Sequence, residues 1–137
     1  MLLDIKIFRI VDANLNRLRE ALRVIEDYHR FLKPNKVVGL RLKALRHRLQ
    51  ILEKTLNLDN RTLLASRDSE NDFGGKTSTA SEKKRTDLHH ILIANHKRAQ
   101  ESSRVLEEFV KIISPRRTAA FKAFRFELYQ IEKISSR

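Results

Sequence analysis

Two short patterns in this chain hold the side chains most able to do chemistry. The block ANLNRLREALRVIEDY, from Ala13, returns as ANHKRAQESSRVLEEF, from Ala94, so Asn14, Arg17 and Glu20 are matched at one constant offset by Asn95, Arg98 and Glu101. Repetition of apolar positions alone means two similar helices. Repetition of Asn, Arg and Glu points to two copies of a polar apparatus. Between the blocks, RDSENDFGGK supplies Asp68 and Asp72 as hard oxygen donors. Gly74 and Gly75 follow, where the missing Cβ lets the backbone approach an anion beside Lys76 and Thr77. This segment lacks the glycine spacing of a P-loop, so alone it is a weak motif.

The elements that carry the repeated residues sharpen their meaning. At 100° per residue, the apolar arc of the first block is centred close to Asn14, and Arg17 lies within it. A buried polar group without a partner costs on the order of a few kcal/mol, and an unpaired charge costs more. Glu20, three residues beyond Arg17, is the expected partner, and the second set repeats the arrangement. Two structures answer this demand: a polar network tying two halves together, or a pocket lined by both Asn–Arg–Glu sets and closed by the central segment. Both sets lie near expected helix N-termini, where free N–H groups and the macrodipole favour anions. Arg23, Arg46, Arg104 and Arg125 also recur, and pairing with neighbouring Glu within each helix is expected ahead of phosphate binding. His89 and His90 have no Glu at metal-site spacing and read as a surface pair, while Tyr129 reads as core.

Helical spacing runs from Asp12, a natural N-cap, to about residue 33, where Pro34 stops it. A second stretch spans about 35–58, a third runs from near Thr86 to just before Pro115, and a fourth covers about 116–134. LKALRHRLQILE in the second helix matches FKAFRFELYQIE in the fourth. The fold class is therefore all-α: a single domain over 1–137, a helical bundle of two tandem-duplicated hairpins. The first repeat covers about 12–58, the central loop about 59–85 and the second repeat about 86–137. Each hairpin is expected to pack antiparallel across its short connection. The long loop loses periodicity throughout, and residues 78–81 lean toward disorder.

Composition agrees. With 3 Gly and 2 Pro in 137 residues, the chain has little turn punctuation and reads as helical. The absence of cysteine excludes disulfides, thiolate nucleophiles and Cys-based zinc sites, so any metal is held by oxygen. A net charge of +12 attracts polyanions, whether nucleic acid, acidic membrane surface or phosphorylated metabolites. No run reaches membrane-spanning length, and the charges within MLLDIKIFRIVD disfavour a signal peptide, so a soluble cytoplasmic protein is expected.

Taken in order, RIVDANLNRLREALRVIEDYHRF, RLKALRHRL, ASRDSENDFGG, ANHKRAQESSRVLEEFVK and FKAFRFELYQIE resemble the small helical hydroxymethylpyrimidine-phosphate kinases of thiamin biosynthesis, domains often fused ahead of thiamin-phosphate synthase. The resemblance covers almost the whole chain, although Gly74-Gly75-Lys76 stands where that family has Gly followed by Thr. It implies transfer of the γ-phosphoryl of ATP, with Mg²⁺, to a phosphorylated pyrimidine. On that basis Asp68 and Asp72 would hold Mg²⁺, Arg17, Arg67 and Arg98 would clamp phosphates, and Gly74, Gly75 and Lys76 would approach those of ATP. Asn14 or Asn95 would pair with the pyrimidine edge, with Glu20 or Glu101 as orienter. A homo-oligomer and association with thiamin-phosphate synthase are both compatible with this picture. Two rival functions are weighed beside it. A nucleic-acid-binding module is disfavoured because exposed aromatics are not interleaved with the basic residues. A non-catalytic interaction domain would not turn over ATP.

Overall fold

The computed structural model describes residues 2–137. Its main helices are α1 (Leu2–Asp27), α2 (Lys36–Thr55), α3 (Asn60–Ser66), α4 (Ala80–Lys83), α5 (Leu88–Ile113) and α6 (Thr118–Ser135), and among the described residues there is no strand. The two long helices, α1 and α5, form the central pair. α6 packs on α5, α2 bridges α1 and α6, and α3 lies on α1. No helix among the described residues is long and apolar enough to cross a membrane.

Local signals account for most boundaries. The Asn35 side chain accepts a hydrogen bond from Val38 N (3.1 Å), opening α2 directly after Pro34. Asp87 does the same for α5 by accepting from His90 N (2.7 Å). α2 ends before Leu58, because Asn57 adopts a left-handed conformation with φ of 57°. The shared core is built from Leu15, Leu18, Leu22 and Ile25 of α1, Leu42 and Leu49 of α2, Leu106 of α5 and Phe121, Phe124 and Leu128 of α6.

Three expectations need correction. α1 begins at Leu2, well before Asp12, because Ile7 and Val11 extend the buried stripe of Leu15 and Leu18. Asp12 is thus inside the helix, and its carboxylate serves Arg67 rather than a cap. The central segment is not aperiodic throughout, since α3 buries Leu63 and Ser66 and opens on the Asp59 cap. Residues 78–81 run into α4, for which the Thr79 side chain accepts from Glu82 N.

Arg46 and Arg125 were expected to pair within their helices, but they cross between helices. Glu26, buried in α1, accepts from Arg46 Nε and Nη2 at 2.5 and 3.0 Å. At the matched positions, buried Glu107 accepts from Arg125 Nε and Nη2 at 2.7 and 3.4 Å. Arg23 and Arg104 approach the same two carboxylates from one turn away. Burial works to raise the Glu107 carboxyl, yet the Arg125 hydrogen bond and the Arg125, Arg104 and Lys111 charges leave it below the usual range.

A buried relay joins the π-helical turn that follows α1, Tyr28–Leu32, to α5 and α6. His29 Nε2 lies 2.6 Å, and His96 Nε2 2.8 Å, from Ser135 Oγ. With its proton on Nδ1, His29 donates to the Lys33 carbonyl oxygen (3.2 Å), Ser135 donates to His29 Nε2, and His96 Nε2–H donates to Ser135 Oγ. Burial lowers His96 to about 4, the Glu132 charge opposes that, and His29 and Lys97 add to it. Burial also lowers His29, against the hydrogen bond to Lys33. The unfolded histidines therefore take up protons first as pH falls. Stability from this relay is complete above about pH 6.5 and is lost toward pH 4, with a slope approaching about 1.4 kcal/mol per pH unit from His96 and a loss in the same direction from His29. Urea unfolding at pH 7 and pH 5 is expected to show the loss, and equal stabilities would contradict it.

Candidate functional site

The first half of α1, the middle of α5 and the turns of residues 69–77 enclose two adjoining grooves. The larger, about 680 Å³, lies between α1 and the central segment and is lined by Lys6, Arg9, Asp12, Arg67 and Asp68, among others. The second, about 540 Å³, reaches α5 and is lined by Gly74, Gly75, Thr77, Arg98, Glu101 and Ser102. Asn14, Arg17, Asp72 and Val105 line both, so they mark the junction.

The central segment is held against α1 by two contacts. Arg67 donates from Nε and Nη2 to the two carboxylate oxygens of Asp12 at 2.8 and 2.9 Å, which ties the exit of α3 to α1. Arg9 Nη2 donates to the Asp68 carbonyl oxygen at 3.2 Å. Within the segment, Asp68 accepts from Asn71 Nδ2 at 3.0 and 2.9 Å. Asp72 is wrapped by the glycine turn: its Oδ1 accepts from Gly74 N, and its carbonyl oxygen accepts from Gly75 N, both at 3.0 Å. A Cβ at position 74 would stand 3.2 Å from Asp72 Oδ1, so glycine lets the turn close on that carboxylate. On the α1 wall, buried Asn14 donates from Nδ2 to the Ile10 carbonyl oxygen (2.9 Å) and accepts from Arg17 Nη1 (3.3 Å). Asn95 repeats the first of these bonds, donating to the Ile91 carbonyl oxygen at 2.8 Å.

The electrostatics follow from which arginines already have carboxylates. Arg23 and Arg46 share Glu26, Arg104 and Arg125 share Glu107, Arg19 takes Glu53, Arg41 takes Glu127 and Arg67 takes Asp12. Among the described residues, Arg17 and Arg98 form no ion pair, and both are exposed to the second groove. The expected pairs Arg17–Glu20 and Arg98–Glu101 do not form. Each side chain is long enough to reach water at the edge of the arc, so burial does not force it onto its neighbour. Two unpaired guanidinium groups facing one cleft favour an anionic ligand.

Of the residues singled out from sequence, Asn14, Arg17, Arg67, Asp68, Asp72, Gly74, Gly75, Arg98 and Glu101 line these grooves. Glu20, Asn95 and Lys76 line neither of them. Two roles also change. The Arg67 fork is occupied by Asp12, so it anchors the segment instead of offering a bidentate phosphate clamp. The amides of Gly74 and Gly75 face Asp72 instead of forming an open anion cradle. Lys6, Arg9, Asp12 and Ser102 belong to the site and were missed. Starting α1 at Asp12 left Lys6 and Arg9 outside any helix, although the spacing of Ile7, Val11 and Leu15 was the signal for a longer one.

No group of three or more His, Asp or Glu able to hold a metal occurs among the described residues. Asp68 and Asp72 nevertheless face the same groove, and Asp72 keeps Oδ2 outside its bond to Gly74. Two carboxylates beside unpaired guanidinium groups are the kind of donor Mg²⁺ takes, since it is bound through one or two carboxylates plus phosphate oxygens and water.

The fold and the groove define a small all-helical protein that presents two unpaired arginines and two carboxylates, Asp68 and Asp72, in adjoining clefts. Residues 9–134 match the ThiD2 family, and the chain belongs to that family, one of the thiamin pathway. It is 40% identical over 126 residues to a thiamine-phosphate synthase of Synechocystis sp., covering 92% of this chain and 35% of that protein. A thiamine-phosphate synthase of Rhodopirellula baltica is 36% identical over 123 residues, covering 90% of this chain and 32% of the relative. The chain thus spans about a third of the length of these relatives. No solved structure matches it.

Proposed function

We propose that this chain is a kinase of thiamin biosynthesis that transfers the γ-phosphoryl of ATP to 4-amino-5-hydroxymethyl-2-methylpyrimidine phosphate, yielding the diphosphate. The observation that carries this reading is the meeting in one groove of Arg17 and Arg98, both without carboxylate partners among the described residues, with Asp72, which together with Arg17 also lines the adjoining groove. Family membership and the names of the relatives support the pathway.

The work asked of the chain is positioning and charge neutralisation. Arg17, oriented by Asn14, and Arg98 hold the phosphates of donor and acceptor close together. Asp68 and Asp72 would hold Mg²⁺, which would offset the charge on the phosphate oxygens. Arg67 and Asp12 keep those carboxylates beside α1, and the turn at Gly74 fixes the Asp72 rotamer. Glu101 offers a carboxylate to the amino group of the pyrimidine. The acceptor is a phosphate oxygen, anionic at neutral pH, so no strong general base is required.

That last point makes a selective prediction. With ATP and Mg²⁺, the monophosphate is expected to be converted to the diphosphate while the free pyrimidine alcohol is largely ignored, as followed by ³¹P NMR. Equal turnover of both would contradict the mechanism. Turnover of neither would favour a second reading, a non-catalytic helical interaction or regulatory domain of the thiamin pathway. The span of this chain over only a third of relatives named for the synthase is the observation behind that alternative.

A further inference from the structure

We infer that the two adjoining grooves divide the two substrates: the groove between α1 and the central segment takes the polyphosphate of the nucleotide, and the groove reaching α5 takes the aminopyrimidine with its single phosphate. This rests on the kinase reading and assigns its subsites.

The charge distribution separates the grooves. The larger one contains Lys6, Arg9 and Arg17, none of which forms an ion pair among the described residues, together with the proposed cation ligands Asp68 and Asp72. A triphosphate carries more charge than a phosphomonoester and binds with a divalent cation, so it belongs where cationic side chains and both carboxylates converge. Its size points the same way, about 680 Å³ against about 540 Å³. Apart from the shared Arg17, the smaller groove has Arg98 as its cation and adds the carboxylates of Glu82 and Glu101. Those carboxylates repel a polyphosphate but accept hydrogen bonds from a ring amino group, while Arg98 suits one phosphate. Arg17 and Asp72 line both grooves, which places transfer at the junction, where an oxygen of the acceptor phosphate attacks the γ-phosphorus as its bond to the β-bridging oxygen breaks and ADP departs.

Lys6 and Arg9 are therefore nucleotide-specificity residues and Glu101 a pyrimidine-specificity residue. The test uses Lys6→Ala, Arg9→Ala and Glu101→Gln of the full chain. KM is measured for each substrate, together with calorimetric titration of a non-hydrolysable ATP analogue with Mg²⁺ and, separately, of the pyrimidine monophosphate. Lys6→Ala and Arg9→Ala are expected to weaken the nucleotide constants about tenfold and leave those of the pyrimidine nearly unchanged, and Glu101→Gln the reverse. Lys6 makes no hydrogen bond among the described residues, so its variant separates phosphate contact from the anchoring of Asp68 by Arg9. The opposite pattern, or equal weakening of both ligands by every variant, overturns the assignment while leaving the kinase intact. If the unmodified chain turns over neither substrate and binds no nucleotide analogue, the kinase reading itself fails.

Discussion

Arg98→Ala is expected to reduce kcat for phosphoryl transfer about a hundredfold or more while leaving thermal unfolding nearly where it was. The first half follows from electrostatics: Arg98 faces the groove without a carboxylate partner, so its charge is free for a ligand and is not spent on the fold. Removing one preorganised charged donor from a site of charge transfer costs on the order of 10²–10³ in rate. The second half corrects what the sequence suggests. If Arg98 paired with Glu101, truncation would strand a carboxylate and destabilise the bundle, but the pair does not form and both side chains are exposed. A surface change of this kind stays within about 0.5 kcal/mol. Arg98→Lys retains the charge and loses the planar fork, so it should recover only part of the rate. Undiminished activity in Arg98→Ala would remove the groove from the mechanism, and a large drop in unfolding temperature would show that the residue is structural.

Asp72→Asn is the second large effect expected, a fall in kcat of about tenfold or more with a raised Mg²⁺ requirement. The substitution is nearly isosteric, and an Asn side-chain oxygen can still accept from Gly74 N, so the turn should survive. What disappears is the negative charge at the junction of the grooves. Activity measured across a Mg²⁺ titration, with helicity monitored by circular dichroism, separates the two contributions. Full activity at all Mg²⁺ concentrations, with helicity unchanged, would return the central segment to a purely structural role.

Much of the architecture was legible because helices are written locally. The spacing of Leu15, Leu18, Leu22 and Ile25, the stop at Pro34 and the turn before Pro115 depend on residues within a few positions of one another, and the structure has helices there with those leucines buried. α1 extends back to Leu2 although the charged residues of its first turns obscure, in the sequence, the stripe continued by Ile7 and Val11. α3 leaves no periodic signal, because seven residues with a single deeply buried leucine give too short a window for periodicity.

The polar residues divide along a similar line. Their types and repetition single out Asn14, Arg17 and Arg98, because Asn and Arg on an apolar helical arc demand an explanation in any fold, while Asp72 stands out as a carboxylate beside two glycines. Which arginine meets which carboxylate was decided only in three dimensions. Arg46 reaches Glu26 across a helix pair, and Arg67 reaches Asp12 across the central segment, so proximity in sequence picked the wrong partners for Arg17 and Arg98. The physical reason is that an ion pair depends on the distance between side-chain tips. A helical register fixes that distance within a few residues along one helix, and only packing fixes it between helices. Local patterning thus sets the long helices and many of the groove's side chains, whereas packing between helices settles which of those charges remain free to bind a ligand.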